Sequence, residues 1–237
     1  MTSTLSVPGG KVAAMSDPKQ KLTAEEVRKA GLDDWRQVLG TLQARFDTRD
    51  FATGLALVDR IGAAAEEMDH HPDITLTYPM VKVTLSSHDV GGITSRDIEL
   101  GRQISAFAAE AGVVANTSGL TQVEWGLDTP DDGSEVVEFW AALTGAKVDD
   151  GEVSDPTRQA PAIWFQERAP AYERGPDDVE QRWHPDVWVA HDEAQARIDA
   201  ALAAGGSMVD DSHAPSYWVL ADRQGNRACI CTPEQRG

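Results

Sequence analysis

Positive charge and long apolar runs are both scarce in this sequence. Lysine and arginine account for 21 of 237 residues, against 39 aspartates and glutamates, so the formal net charge is −18. Since phosphates are held by clustered lysines and arginines, this balance argues against a nucleic-acid-binding protein and against docking on anionic membranes. No apolar stretch is long enough to span a bilayer, and the N-terminus lacks the apolar segment of a signal peptide. We therefore expect a cytoplasmic protein.

Cysteine is also scarce, because Cys229 and Cys231 are the only two. Two residues apart on a strand, they point to the same face and form a poor disulfide pair. The sequence therefore predicts no disulfide framework, which fits a reducing compartment. With 237 residues, 41% of them hydrophobic, the chain is long enough for one large domain or two small ones.

The first part of the chain has the pattern of a small α+β domain. Residues 1–21 are small, polar and interrupted by proline and glycine, and we expect a disordered lead-in. Residues 22–112 are predicted to place helices on one face of a small antiparallel sheet. The clearest helix covers residues 51–68, where apolar residues such as Leu55 recur at three- and four-residue steps. Residues 81–85 alternate apolar and polar side chains, as a half-buried strand does.

The second part of the chain repeats a structural unit. Residues 113–120 are rich in loop-forming residues and are predicted to be a linker. Residues 121–237 contain the order strand, acidic loop, helix, glycine stop and strand twice, which predicts a pseudo-symmetric domain from an internal duplication. Every tryptophan except Trp35 lies beyond residue 120, which favours an aromatic-lined core or cleft there.

Candidate chemistry is concentrated between residues 66 and 97, where three of the six histidines stand among carboxylates. Glu66 and His70 are four residues apart, so on a helix they share a face and the carboxylate can orient the imidazole. His71 follows directly, and Pro72 is expected to end the helix by removing an amide donor.

His88 lies at the end of the strand that follows, where a hairpin can return it to the end of the helix. The sequence therefore predicts three imidazoles around one cavity, with Asp89 and Asp97 nearby. Imidazoles can act as general acid and general base in one reaction. Since the set contains no obvious nucleophile, it favours elimination, hydration or isomerisation over acyl transfer. Two alternatives stay open at this point: ordinary histidines without a shared role, and a zinc site, although adjacent ligands are hard to aim at one ion.

Residues 22–112 resemble the pterin-4a-carbinolamine dehydratase family, also called 4a-hydroxytetrahydrobiopterin dehydratases. The matching positions are Glu66, His70, His71, Pro72, Tyr78, residues 81–85, Ser87, His88, Asp89, Gly92, Thr94 and Asp97. The sequence departs from the family pattern at Ser87, where threonine is common, and at Ile74, where an aromatic residue is frequent.

This resemblance implies the removal of water from the 4a-hydroxy group of a tetrahydropterin, giving the quinonoid dihydropterin of tetrahydrobiopterin recycling. The implied catalytic residues are His70, His71 and His88. The implied substrate-binding residues are Glu66, Pro72, Asp89 and Asp97. We assign His70 and His88 to the acid and base roles, and His71 to holding the hydroxyl group. The resemblance also implies a homo-oligomer and a reaction that needs no cofactor and no metal.

Residues 121–237 are similar to glyoxalase-like domains of the vicinal-oxygen-chelate superfamily, which are built from paired βαβββ units. The matching stretches are residues 139–145, 184–188 and 222–226. Metal-binding members place histidine or glutamate at strand positions that fall here near Glu124, His184 and Cys229. Since a cysteine stands where glutamate is usual, we expect no metal, and a substrate-binding or architectural role for this domain.

The sequence thus predicts a two-domain enzyme with a hydro-lyase site in its first domain and a small pterin as its substrate. Two alternatives remain. The first domain could be a non-catalytic pterin-binding or regulatory partner, or the main chemistry could lie in the glyoxalase-like domain. Retention of all three histidines with two carboxylates favours catalysis.

Overall fold

The computed structural model describes residues 17–168 and 181–236. In these ranges the chain forms one sheet of five strands and one of eight. None of the helices there combines the length and apolarity that crossing a bilayer requires. The predicted lead-in, residues 1–21, lies mostly outside the described ranges. At its end, Lys19 forms an ion pair with Asp89 at 3.5 Å.

The first domain is an antiparallel sheet covered by helices. The helices are α1 (Ala24–Lys29), α2 (Phe51–Met68) and α3 (Ser95–Glu110). The strands are β1 (Arg36–Val38), β2 (Thr41–Asp47), β3 (Asp73–Thr77), β4 (Met80–Leu85) and β5 (Val114–Ala115). The strand order is β1-β2-β4-β3, with β5 beside β2, and residues of α2, α3 and the strands share one hydrophobic cluster. The predicted α+β architecture is confirmed.

Helix α2 has the predicted bounds, and Ile61 and Ala65 of its predicted apolar face are buried. The prediction is wrong at Leu55, which is 47% exposed, whereas Leu57 is almost fully buried. The reason is Gly54, which lies against the sheet: a Cβ atom there would come within 2.7 Å of Leu76 Cδ1. The helix therefore approaches the sheet closely at Gly54, and the neighbouring Leu55 faces solvent.

The second domain is a single mixed sheet with two helices. The helices are α4 (Val137–Thr144) and α5 (Ala194–Ala203). The first four strands are β6 (Thr121–Thr129), β7 (Lys147–Asp149), β8 (Glu152–Ser154) and β9 (Ile163–Glu167). The last four are β10 (Trp183–Val189), β11 (Ser207–Asp210), β12 (Tyr217–Ala221) and β13 (Arg227–Cys231).

The strand order β11-β12-β13-β10-β6-β9-β8-β7 confirms the predicted duplication. Each half runs strand, helix, three strands, and in each half the first strand pairs in parallel with the last. The two first strands, β6 and β10, pair antiparallel at the centre of the sheet. The paired βαβββ units therefore form one curved sheet around a pseudo-twofold axis.

Several contacts join the two domains. The predicted linker, residues 113–120, is not free chain, because β5 pairs with β2 and Leu120 is buried. Leu120 packs in a cluster with Val38, Trp188 and Cys231. Beside this cluster, Arg36 Nε donates to Asp192 Oδ2 at 2.8 Å.

Candidate functional site

His70 and Asp97 form a buried pair at the centre of the predicted site. His70 is 6% exposed and Asp97 is fully buried, and His70 Nε2 lies 2.8 Å from Asp97 Oδ1. The second carboxylate oxygen, Oδ2, accepts hydrogen bonds from the Thr94 backbone N–H at 2.7 Å and from Ser87 Oγ at 2.8 Å. Since an ionised carboxylate can only accept, His70 donates from Nε2, and Nδ1 is the ring nitrogen that can accept a proton when the imidazole is neutral.

Asp97 holds this position because it also caps a helix. Thr94 is the N-cap of α3, and Asp97, three residues on, accepts from the Thr94 backbone in a capping box. A carboxylate at this position satisfies an orphan amide and interacts favourably with the positive end of the helix. The same side chain therefore starts α3 and fixes the orientation of the His70 imidazole.

The predicted pairing of Glu66 with His70 is wrong. Helix α2 ends at Met68, and Asp69 adopts the left-handed conformation with φ of 47°, so the helical spacing does not continue to His70. Glu66 Oε1 instead lies 3.2 Å from His71 Nε2, and both side chains are mostly exposed. The predicted helix stop at Pro72 is wrong for the same reason, since the helix has already ended at Asp69.

His88 and Asp89 lie in an exposed turn between β4 and α3. The turn is anchored by Ser87, whose backbone N–H donates to the Gly92 carbonyl at 2.8 Å. Among the described residues, no hydrogen bond joins His88 to either of the other two histidines. Asp89 accepts from Arg96 at 2.6 Å, and this hydrogen bond holds the pKa of Asp89 below its usual value. The predicted substrate-binding role of Asp89 remains a prediction.

Sequence reasoning missed one residue at the rim of this site. Arg158, in the loop between β8 and β9, donates from Nη1 to Asp73 Oδ2 at 3.1 Å and to Ser86 Oγ at 3.2 Å. Asp73 directly follows Pro72, and Ser86 directly precedes Ser87. No local signal marks Arg158, because its partners lie 85 and 72 residues away in the chain.

A second polar cluster lies in a cavity of about 1220 Å³ bounded by the curved sheet and by residues of the first domain. His184 and Asp186 share one face of β10, and Cys229 on β13 is the register partner of Asp186. One ligand atom from each of these three residues lies within 4.8 Å of the other two. Asp186 Oδ1 is buried and, within the described part of the chain, has no hydrogen-bond partner. Gly126 makes room for the ring of His184, since a Cβ atom there would lie 2.5 Å from Nε2.

The cavity changes the acidity of its carboxyl and thiol groups. Burial raises the pKa of Glu124 to about 7, and Glu124 accepts a hydrogen bond from Trp188 Nε1 at 2.8 Å. Burial also raises the pKa of Asp186. The hydrogen bond with Cys231, followed by burial, raises the pKa of Cys229. Each of these shifts disfavours the charged form of the group relative to the same group in water.

The three donors fit a divalent metal ion, although the cysteine led the sequence to predict none. Nitrogen, oxygen and sulfur ligands from histidine, aspartate and cysteine match the preference of Zn²⁺, and the buried Asp186 Oδ1 lacks a hydrogen-bond partner among the described residues, which a cation would supply. Glu124, the third position singled out from the sequence, lies outside this group of three, and its carboxyl group accepts from Trp188. His184, Asp186 and Cys229 would hold such an ion, which would act there as a Lewis acid.

Replacing Glu124 by glutamine is expected to stabilise the chain at pH 8 but not at pH 4, measured by urea unfolding with a metal chelator present. The folded-state pKa of about 7 lies above the usual value of 4.5, so ionising Glu124 lowers stability progressively between these values. The amide oxygen still accepts from Trp188. Since the group is not completely buried, the expected gain is on the order of 1–3 kcal/mol. An equal gain at both pH values would contradict the prediction.

Residues 20–107 match the protein family described as "Pterin 4 alpha carbinolamine dehydratase", and residues 126–231 match the family described as "Glyoxalase-like domain". A protein from Thermosynechococcus vestitus named "Putative pterin-4-alpha-carbinolamine dehydratase" is 42% identical over 83 residues, which cover 35% of this chain and 87% of that protein. A Burkholderia cenocepacia protein of the same name is 43% identical over 95 residues, covering 38% and 93%. A crystal structure of a "transcriptional coactivator/pterin dehydratase" from Brucella melitensis is 33% identical, with a TM-score of 0.37, and covers 38% of this chain and 99% of that one.

Proposed function

We propose, from the premise that this chain belongs to the pterin-4a-carbinolamine dehydratase family, that its first domain dehydrates a 4a-hydroxytetrahydropterin. The product is the quinonoid dihydropterin, as tetrahydrobiopterin recycling requires. The observation that supports this most directly is the buried hydrogen bond between His70 and Asp97, which lies inside the segment that matches the family. It orients the imidazole through Nε2 and leaves Nδ1 facing away from the carboxylate.

The reaction breaks the C4a–O bond and removes the proton on N5, so that a C4a=N5 double bond and water are formed. His70 is the base for the N5 proton, because its Nε2 faces Asp97 and its Nδ1 has no hydrogen-bond partner in the part of the chain that the structure describes. His88 is the acid for the leaving hydroxyl, since an exposed imidazole exchanges protons with solvent. His71, supported by Glu66, holds the hydroxyl group. We also assign substrate-binding roles to Pro72 and Asp89.

Stopped-flow measurement of 4a-hydroxytetrahydropterin loss by the purified full chain tests this function. A parent chain that does not exceed the uncatalysed rate would contradict it. Binding of a pterin without turnover would instead favour the alternative, a pterin-binding or regulatory partner protein.

We also propose that the chain self-associates through its first domain. Four large apolar side chains of that domain are exposed between 47% and 74%: Phe51, Leu55, Tyr78 and Val114. Such residues are favourable at an interface between copies of one chain.

The second domain has a candidate function of its own, which is binding of a thiophilic divalent ion. Titration of the chelator-treated full chain with Co²⁺ is expected to give one bound ion and a near-ultraviolet thiolate-to-metal absorption band, and Zn²⁺ is expected to displace it. Cys229→Ser is expected to abolish the band, whereas Cys231→Ser, the neighbouring thiol, is expected to keep it. No binding by the parent chain would overturn this assignment and support the metal-free expectation from the sequence.

A further inference from the structure

The glyoxalase-like domain contributes one cationic side chain to the rim of the proposed dehydratase site. Arg158 extends from the loop between β8 and β9 and contacts Asp73 and Ser86 of the first domain. Asp73 begins β3, three residues after His70, and Ser86 is followed by Ser87, which donates to Asp97. The guanidinium group therefore lies against the two chain segments that carry the proposed catalytic histidines.

The loop that presents Arg158 is held in a fixed conformation. The Asp155 carboxylate accepts hydrogen bonds from the backbone N–H groups of Thr157 at 2.8 Å, Gln159 at 3.0 Å and Ala160 at 2.9 Å. These bonds hold the pKa of Asp155 at about 2, so the carboxylate remains charged at any working pH. Arg158 has a φ of 55°, a left-handed conformation that costs free energy in a residue other than glycine. The hydrogen bonds of Asp155 therefore hold an unfavourable φ at Arg158, the residue that contacts the first domain.

Only part of the guanidinium group is used by the protein. Both hydrogen bonds come from Nη1, and Nε and Nη2 have no partner among residues 17–168 and 181–236. Arginine has five N–H donors in a planar fork, so the unused donors remain available to an acceptor in the site. The pyrimidinone ring of a pterin has a carbonyl oxygen on the carbon next to C4a, which can accept a hydrogen bond from such a donor.

We propose that Arg158 is a substrate-positioning residue of the dehydratase site, donating a hydrogen bond to the pterin carbonyl oxygen. This inference rests on the proposed function of the first domain. Arg158 lies outside residues 20–107, which match the family, so the inference does not come from the family resemblance. It gives the fused second domain a part in substrate binding, through one loop and without any chemistry of its own.

The structure also provides a matched control. Arg36 bridges the two domains through Asp192, but it lies on β1, away from the histidines. If Arg158 only held the domains together, Arg36→Ala would have the same effect as Arg158→Ala. If Arg158 contacts the substrate, the two variants will differ.

The test measures dehydration kinetics of the full chain by stopped flow, and binding of 7,8-dihydrobiopterin by calorimetry. Arg158→Ala is expected to raise KM and the dihydrobiopterin Kd about tenfold or more, as loss of a charged hydrogen bond does, with kcat within about threefold of the parent. Arg158→Lys is expected to recover part of the affinity, since it keeps the charge but loses the planar fork. Arg36→Ala is expected to match the parent in both measurements.

Two results would overturn the inference: Arg158→Ala with unchanged KM and Kd, or Arg36→Ala with the same loss. A parent chain that binds dihydrobiopterin but does not turn over substrate would contradict the proposed function, and the Kd values would still decide the role of Arg158. A parent chain that neither binds nor reacts would overturn both.

Discussion

Replacing His70 by alanine is expected to lower the rate of 4a-hydroxytetrahydropterin dehydration by about a hundredfold or more, because a general base is lost. The imidazole is buried and its Nε2 is held by Asp97, so its position is well defined. The measurement is single-turnover stopped flow with the full chain. The same experiment with His88→Ala is expected to show a loss of similar size, because the acid for the leaving hydroxyl is removed.

Loss of activity by unfolding must be separated from loss of a proton acceptor. His70→Ala leaves the Asp97 carboxylate with one oxygen unpaired in a buried position, which costs about 1–3 kcal/mol or more. His70→Gln retains a donor toward Asp97 but supplies no base, so it is expected to fold better than His70→Ala and to be equally slow. His191→Ala removes an exposed histidine of the second domain and is the control. A rate within about threefold of the parent for both His70 variants would contradict the mechanism.

Local sequence patterns predicted most of the helices and strands, because helix capping and the spacing of apolar residues depend on neighbouring residues in the chain. Thr23 and Glu26 form a capping box, a local sequence pattern, at the start of α1, and the bounds of α2 follow from its apolar periodicity. The exposure of Leu55 could not be read from that periodicity, since the choice between Leu55 and Leu57 depends on the close approach of Gly54 to the sheet. That approach is a tertiary contact with no counterpart in the helix pattern.

For the candidate site, the structure tests only which side chains pair, and the predicted pairing was wrong. The motif placed His70, His71, His88 and Asp97 in one segment, and the structure joins His70 to Asp97 across 27 residues. Spacing alone favoured Glu66 as the partner of His70, and a single left-handed residue, Asp69, reverses that choice. Arg158, which comes from the second domain, could not be predicted because no local sequence pattern marks it.

The second domain illustrates the same limit. The duplication was visible because each unit repeats its local order, and the sheet confirms it. The polar cluster was only partly visible: His184 and Cys229 were singled out, but Asp186 was not. Asp186 enters the cluster because β10 and β13 pair in parallel with Asp186 opposite Cys229. Glu124 lies outside the cluster, and its carboxyl group accepts from Trp188 instead.

Replacing Asp97 by asparagine is expected to slow dehydration by about a hundredfold or more while the chain stays folded. The amide oxygen can still accept from the Thr94 backbone and from Ser87, so the start of α3 is preserved. The amide nitrogen, a donor, then faces His70 Nε2, and the neutral imidazole must move its proton to Nδ1. Since Nδ1 is the proposed acceptor for the N5 proton, the wrong tautomer removes the base without removing the side chain.

The chain contains a matched control for this substitution. Glu26 occupies the same capping-box position in α1, where it accepts from the Thr23 backbone on the surface, and it contacts no histidine. Glu26→Gln is expected to cost less than about 1 kcal/mol in urea unfolding and to leave the rate unchanged, because an exposed cap contributes little. Asp97→Asn is expected to lower the free energy of unfolding by about 1–3 kcal/mol and to slow dehydration as described above. If Asp97→Asn folds and keeps the parent rate, Asp97 is only a helix cap, and the orientation of His70 must come from packing alone.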